Sequence, residues 1–260
     1  MATPSKNKRK FKALILAGGY ATRLYPITLN VSKPLLKIDH RSIIDFAIQD
    51  LVKIKDLTEI FVITNNKFYK DYLRWKKELK INKKITIIND NTKSDVKKLG
   101  AVGDMYYVVK KKNINCDLLV IGGDNIFEKG LIGFVDFAQK NLPNASIGTY
   151  DLISKFKARR YGVVQLNSEN LILDFQEKPE CPLSTETAMC MYYFPKDTMG
   201  LFQEYVKKLK LDTDKAGSYI KWLMTKCKVY AFRFKGLWLD IGQVDTYRKA
   251  QRYFYNRKRT

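Results

Sequence analysis

The stretch LILAGGYATRLYPITLNVSKPLL, residues 14–36, decides the fold. It opens as an apolar run of strand character and then gathers two glycines, an arginine, two prolines and a lysine into positions 18–34. A strand that ends at Gly18 and Gly19 lets backbone N–H groups approach a ligand closely, because neither residue carries a Cβ. Arg23 follows on the same loop with a planar fork suited to phosphate, and Lys33 adds a point charge. A glycine turn with two cations suits a polyphosphate. No GKS or GKT follows the glycines, so this is not a Walker loop.

Outward from that stretch, strand and helix patterns alternate. The strand-like runs FKALIL (11–16), EIFVIT (59–64), KITIIN (84–89), DLLVIGG (117–123) and ASIGTY (145–150) are separated by segments of helical period. These are IIDFAIQDLVKI (43–54), KFYKDYLRWKKEL (67–79), VGDMYYVVKKK (102–112) and LIGFVDFAQK (131–140). Such alternation predicts βαβ units and an α/β fold: a Rossmann-like mixed, mainly parallel sheet flanked by helices, with ligands at the carboxyl ends of the strands. After residue 160 the pattern changes to a hairpin around NSEN (167–170), a strand AMCMYYF (188–194), a helix over 216–226, a strand KVYAFRFK and a final turn and helix over 236–254. No internal repeat or composition break divides the chain, which predicts a single domain over 1–260 behind a basic N-terminal tail, residues 1–10.

Composition narrows the class. The chain has 260 residues, of which 45% are hydrophobic, enough for one substantial core. No apolar run reaches the roughly 18 residues that span a bilayer, and the start MATPSKNKRKFKA has no signal-peptide core, so a cytoplasmic protein without a membrane partner is expected. Four cysteines, at 116, 181, 190 and 227, form no CxxC pair and predict neither a zinc site nor a disulfide framework. The single histidine, His40, lies in the polar connection IDHRS and reads as a turn residue rather than a catalytic base. Net charge is +22, which favours polyanions. The basic residues are spread along the chain without a zinc-finger, homeodomain or aromatic RNA-binding pattern, which argues against nucleic acid and leaves much of the excess as solvated surface.

As a whole, LAGGYATRLYPITLNVSKPLL resembles the LAGGxGTRLxPLTxxxxKxLLP signature of the sugar-1-phosphate nucleotidylyltransferases. Further segments match that family in order: LGAVGD (99–104), GGDNIF (122–127), YGVV (161–164), FQEKP (175–179) and WLDIG (238–242). The resemblance runs from about residue 12 to 250. It implies a nucleotidyltransferase, GT-A-like sheet, with residues 11–150 as the nucleotide-binding half and 151–250 as the sugar-phosphate-binding half. Because the chain stops near residue 260, the C-terminal β-helix of longer relatives is expected to be absent.

The implied reaction is attack by a sugar 1-phosphate oxygen on the α-phosphorus of a nucleoside triphosphate, giving an NDP-sugar and pyrophosphate. No strong base is needed, since the second pKa of a phosphate monoester is near ~6 and the nucleophile is already ionised. Cations and positioning are what the step requires. By the resemblance, Arg23, Lys33, Asp124 and Asp240 are catalytic, with Asp124 and Asp240 binding Mg²⁺, a hard cation suited to bridging phosphates. Leu16, Ala17, Gly18 and Gly19 match the nucleotide cradle, Lys178 the sugar-phosphate lysine, and Asn125, Tyr161, Gly162 and Glu177 the sugar contacts.

Departures from the family pattern are Ala21 for glycine, Lys37 for proline, Ala101 for threonine and Cys190 for glycine. Base choice is read from INDNTKSDVKKLGAVGD (88–104): Gly100 lets the backbone approach a flat ring, and Asn91 or Thr92 supplies a donor and an acceptor. With no larger aromatic cage for a purine in this segment, and with GGDNIF and WLDIG most similar to the thymidylyl and uridylyl branch of the family, this predicts UTP or dTTP over ATP and GTP, with CTP as a third candidate. A catalytically silent binding or regulatory subunit, a cytidylyltransferase acting on another phosphorylated small molecule, and a homo-oligomer all remain open.

Overall fold

The computed structural model describes residues 8–128 and 130–257, so most of the expected basic tail lies outside the described residues. In chain order the first half runs β1 (Phe11–Ala17), β2 (Lys37–Ile38), β3 (Arg41–Ser42), α1 (Ile43–Leu51), β4 (Leu57–Thr64), α2 (Tyr69–Glu78), β5 (Ile85–Asn89), α3 (Gly100–Lys111), β6 (Asp117–Gly122), β7 (Asn125–Phe127), α4 (Leu131–Lys140) and β8 (Ala145–Asp151). The second half runs α5 (Lys155–Ala158), β9 (Gly162–Leu166), β10 (Ile172–Glu177), β11 (Glu186–Phe194), α6 (Met199–Gln203), α7 (Ala216–Leu223), β12 (Val229–Arg233), β13 (Trp238–Asp240) and α8 (Val244–Arg257). No described helix is long and apolar enough to cross a membrane.

The expected βαβ pattern gives a parallel nucleus in which β1 pairs with β4 and β6, and β4 with β5. The apolar runs of β4 and β6 are buried along nearly their whole length, as strands covered on both faces must be. β11 then enters antiparallel and carries the sheet onward: Met191–Phe194 pair with β6, while Thr187 lies between β9 and β8. β12 returns from late in the chain to run parallel to β8. One core packs α1, α2 and α4 against one face of the sheet, and a second packs α3, α6 and α7 against the other. A third, smaller cluster joins Leu24, Ile126, Leu239 and Ile241 to Phe254 of α8.

Two short ladders were not legible in the sequence. Asp39 and His40 both take positive φ, 49° and 68°, and turn β2 back on β3, so His40 is a turn residue as expected. β7 and β13, three residues each, pair antiparallel with Asp240 opposite Asn125. This second ladder links strand ends more than a hundred residues apart in sequence.

Gly162 was expected to contact sugar, but packing already accounts for it. A Cβ there would stand 2.4 Å from Cζ of Phe175, whose ring is 1% exposed and has no room to move. Gly162→Ala should therefore lower unfolding stability by about 1–3 kcal/mol, read as a shifted urea midpoint with an unchanged slope. An unshifted midpoint would show that the position tolerates a side chain.

Candidate active site

The loop after β1 folds over the carboxyl edge of the parallel nucleus. Asn65 donates from Nδ2 to Gly18 O at 2.9 Å and holds the glycine turn against β4. Ala21, the departure from glycine, sits at φ 52° and ψ 38° in the left-handed region, a strained position for alanine. Thr28 steadies it by donating to its carbonyl at 2.8 Å. The next three residues, Thr22–Leu24, form a 3₁₀ turn in which Leu24 is buried and Arg23 exposed. Lys33 opens a second 3₁₀ turn with Pro34 behind it.

Lys33 reaches Asp124, immediately after β6, with Nζ 2.5 Å from Oδ2. Asn125 donates to Asp124 Oδ1 at 2.9 Å and accepts from Trp238 Nε1 at 2.7 Å. Ile241 N donates to Asp124 O at 3.0 Å. The β7–β13 ladder thus brings Asp240 alongside Asp124, although 116 positions separate them. Burial works to raise the Asp124 carboxyl, but the Lys33 ammonium and its hydrogen bond outweigh that and hold it below the usual carboxylate range. Asp240 goes the other way. Burial and then the Asp124 charge push it up to about 6, against the opposing pull of Lys33, Arg23 and the Tyr161 hydrogen bond.

Two like charges on neighbouring strand ends are the arrangement a divalent cation relieves, and carboxylate oxygens are the donors Mg²⁺ prefers. No cluster of three or more His, Cys, Asp or Glu side chains suited to a metal occurs among the described residues. A hard cation at the pair would therefore complete its shell from phosphate and water, as Mg²⁺ does in phosphoryl-transfer sites.

A cleft of about 320 Å³ runs from Asp124 along the β1 loop, lined by Leu16, Ala17, Gly18, Gly19, Arg23, Lys33, Gly100 and Asp124 among the expected residues and not by Asp240. Cys190 lies on its wall with its thiol pushed up to about 12 by burial, far from a reactive thiolate. Asp90, Asp95, Lys98, Asp104 and Asp214 line the end beyond Gly18, and sequence reasoning missed all five. Tyr161, Glu177 and Lys178, expected on the sugar side, gather around the β9–β10 pairing and do not line this cleft. Tyr161 lies against Trp238 with the rings tilted at 56° and 5.3 Å between centroids, and it bonds to Asp240. Glu177 pairs in register with Gly162, and Lys178 N donates to Tyr161 O at 3.1 Å. The Lys178 side chain is 54% exposed with its nearest carboxylate, Glu177, at 4.0 Å, so it is free to meet an anion.

Two expected base contacts do not line the cleft. Asn91 is exposed and donates to the Tyr107 hydroxyl at 3.0 Å. Thr92 is buried, with its hydroxyl 3.3 Å from Tyr20 OH and its N–H bonded to Asp90. Gly100 does line the cleft, yet its glycine is demanded by φ 78° and by Thr213 O, which a Cβ would approach to 2.4 Å.

The chain belongs to the nucleotidyl transferase family, whose sequence profile matches residues 12–257. It is 25% identical over 259 residues to a glucose-1-phosphate adenylyltransferase of Mycoplasma mobile, a match covering 94% of this chain and 66% of that protein. It thus spans just under two thirds of that relative's length. A Bacillus anthracis protein assigned as a glucose-1-phosphate thymidylyltransferase, solved with a sucrose, superposes with a TM-score of 0.79 at 23% identity over 94% of both chains. That likeness establishes the fold.

The raised Asp240 carboxyl makes a stability prediction. An aspartate in the unfolded chain ionises near ~4, so between pH ~4 and ~6 the folded state holds the extra proton and loses stability as pH rises. Asp240→Asn removes that loss. Without divalent ions, the variant should gain stability relative to wild type from pH ~4 to ~6 and level off above. Urea titrations across that range that give a constant difference would contradict the assignment.

Proposed function

We propose that the protein transfers a nucleoside monophosphate from a nucleoside triphosphate to a sugar 1-phosphate, releasing pyrophosphate. The observation that carries this reading is the meeting of Lys33, Asp124 and Asp240 at the carboxyl edge of the sheet, with Lys33, Asp124 and Arg23 on the lining of the cleft. Family membership supports it, as do the names of two relatives that share the reaction and differ in the nucleotide they use.

In this account the glycine turn and Arg23 hold the triphosphate, in residues 11–150, while Lys178 binds the sugar phosphate from residues 151–250. Lys33 carries positive charge next to Asp124 and is placed to neutralise the charge that develops on the α-phosphorus. Asp124 and Asp240 would hold Mg²⁺, which when bound supplies Lewis-acid stabilisation of the phosphate oxygens. Tyr161 fixes the Asp240 carboxyl by hydrogen bond, and Asn125 fixes that of Asp124. The base reading that rested on Asn91 and Thr92, UTP or dTTP, loses its two side-chain contacts, since neither lines the cleft.

Purified protein with Mg²⁺, five nucleoside triphosphates and a panel of sugar 1-phosphates should release pyrophosphate with at least one pair. No release from any pair would refute the reading. Asp124→Ala should cost on the order of 10³-fold in kcat. Arg23→Gln should chiefly raise KM for the triphosphate and Lys178→Gln that for the sugar phosphate, because each cation serves a different polyanion. Equal effects of both variants on both substrates would contradict the division.

A further inference from the structure

The two ends of the cleft differ in chemistry. One gathers Arg23, Lys33 and Asp124, and the other is walled by Asp90 and Asp104 beneath Gly18, with Asp95, Lys98 and Asp214 beside them. A Cβ built on Gly18 would stand 2.5 Å from Asp104 Oδ2 and 3.3 Å from Asp90 Oδ2, so the two carboxyl groups converge on one point of the wall. Each residue is 6% exposed. Asp104 sits on the buried face of α3 between Val102, Met105 and Val108, where an apolar residue would pack at no electrostatic cost.

The hydrogen bonds at this end do not balance. Asp104 Oδ1 is buried with no partner. Asp90 Oδ1 takes the Thr92 N–H at 2.6 Å. Two nearby side-chain donors are engaged elsewhere: Lys98 pairs with Asp214 at 3.2 Å and Asp95 at 3.7 Å, and the Tyr20 hydroxyl shares a hydrogen bond with Thr92. Burial raises both carboxyls, Asp104 the more strongly and with help from the Asp90 charge. Among the described residues, Asp104 Oδ1 is the acceptor left over at this end. An unpartnered buried acceptor destabilises a fold, and such groups persist where a ligand satisfies them.

Resting on the reading of this cleft as the nucleotide site, we propose that Asp104 and Asp90 determine base specificity, selecting a base with an exocyclic amino group over uracil or thymine. An amino N–H₂ carries two donors and can meet an oxygen of each carboxyl in either protonation state, whereas the uracil O4 can accept from at most one protonated carboxyl and sets acceptor against acceptor at the other. The polarity of the cleft matches that of a nucleotide, with anionic phosphates at the cationic end and a hydrogen-bond-donating base edge at the acceptor end. CTP and UTP are the matched pair that isolates this chemistry, because their rings have the same size and differ at N3 and C4.

The test is equilibrium titration calorimetry of the purified full chain with Mg²⁺ and each triphosphate, run independently of turnover. CTP should bind about tenfold or more tightly than UTP. ATP or GTP exceeding CTP also supports an amino-reading pair, while UTP or dTTP equal to or above every amino-bearing nucleotide overturns it. In Asp104→Ala the CTP-to-UTP ratio should collapse to within about threefold, inorganic pyrophosphate binding should be unchanged, and Tm should hold or rise because the orphaned acceptor is gone. If Asp104→Ala does not fold, Asp104→Asn and Asp90→Asn give the same reading. A folded variant that keeps the full ratio, or loses all triphosphates equally, overturns the proposal. Selective binding without pyrophosphate release refutes the reaction and leaves base selection standing, whereas wild-type protein that binds no triphosphate overturns both.

Discussion

The structure turns on one electrostatic constraint: two carboxylates, Asp124 and Asp240, are held side by side at the carboxyl edge of a parallel sheet. Each is fixed by backbone before its charge matters. Asp124 follows the fully buried strand β6, and its own carbonyl accepts from Ile241, while Asp240 closes a three-residue strand paired in register with Asn125. Their repulsion is split unevenly. Lys33 takes one of them as a 2.5 Å partner and keeps it ionised, which leaves the other to carry the raised carboxyl. That asymmetry makes the site receptive to additional positive charge.

The surrounding packing serves the same end. Trp238 donates to Asn125 and lies within ring contact of Tyr161 and Tyr150, so the ladder carrying Asp240 is braced by aromatic packing. Leu24 and Ile241 share a small core under α8, which ties the loop bearing Arg23 to the strand bearing Asp240. Arg23 and the acidic pair therefore cannot drift apart without breaking apolar contacts.

The sequence made the parallel nucleus legible because its strands are near-continuous apolar runs and its helices keep a clean 3.6 period. The β1 loop and its cations were legible for the same local reasons. What stayed hidden depended on contacts distant in the chain. β7 and β13 are too short to carry a period, and only their pairing brings GGDNIF and WLDIG together. Gly100 and Gly162 read as ligand contacts, yet a neighbouring carbonyl and a phenyl ring already require them to be glycine. Asp104 was passed over because an aspartate inside VGDMYYVV reads as the polar position of an amphipathic helix, and only the folded chain turns it inward.

The central claim, transfer at the α-phosphorus, is tested most directly by label position. With Mg²⁺ and a sugar 1-phosphate, a triphosphate labelled at the α-phosphorus should pass its label to the NDP-sugar, and one labelled at the γ-phosphorus should pass it to pyrophosphate. Label from the γ-position appearing on the sugar, or as free orthophosphate released by the enzyme, would contradict the account.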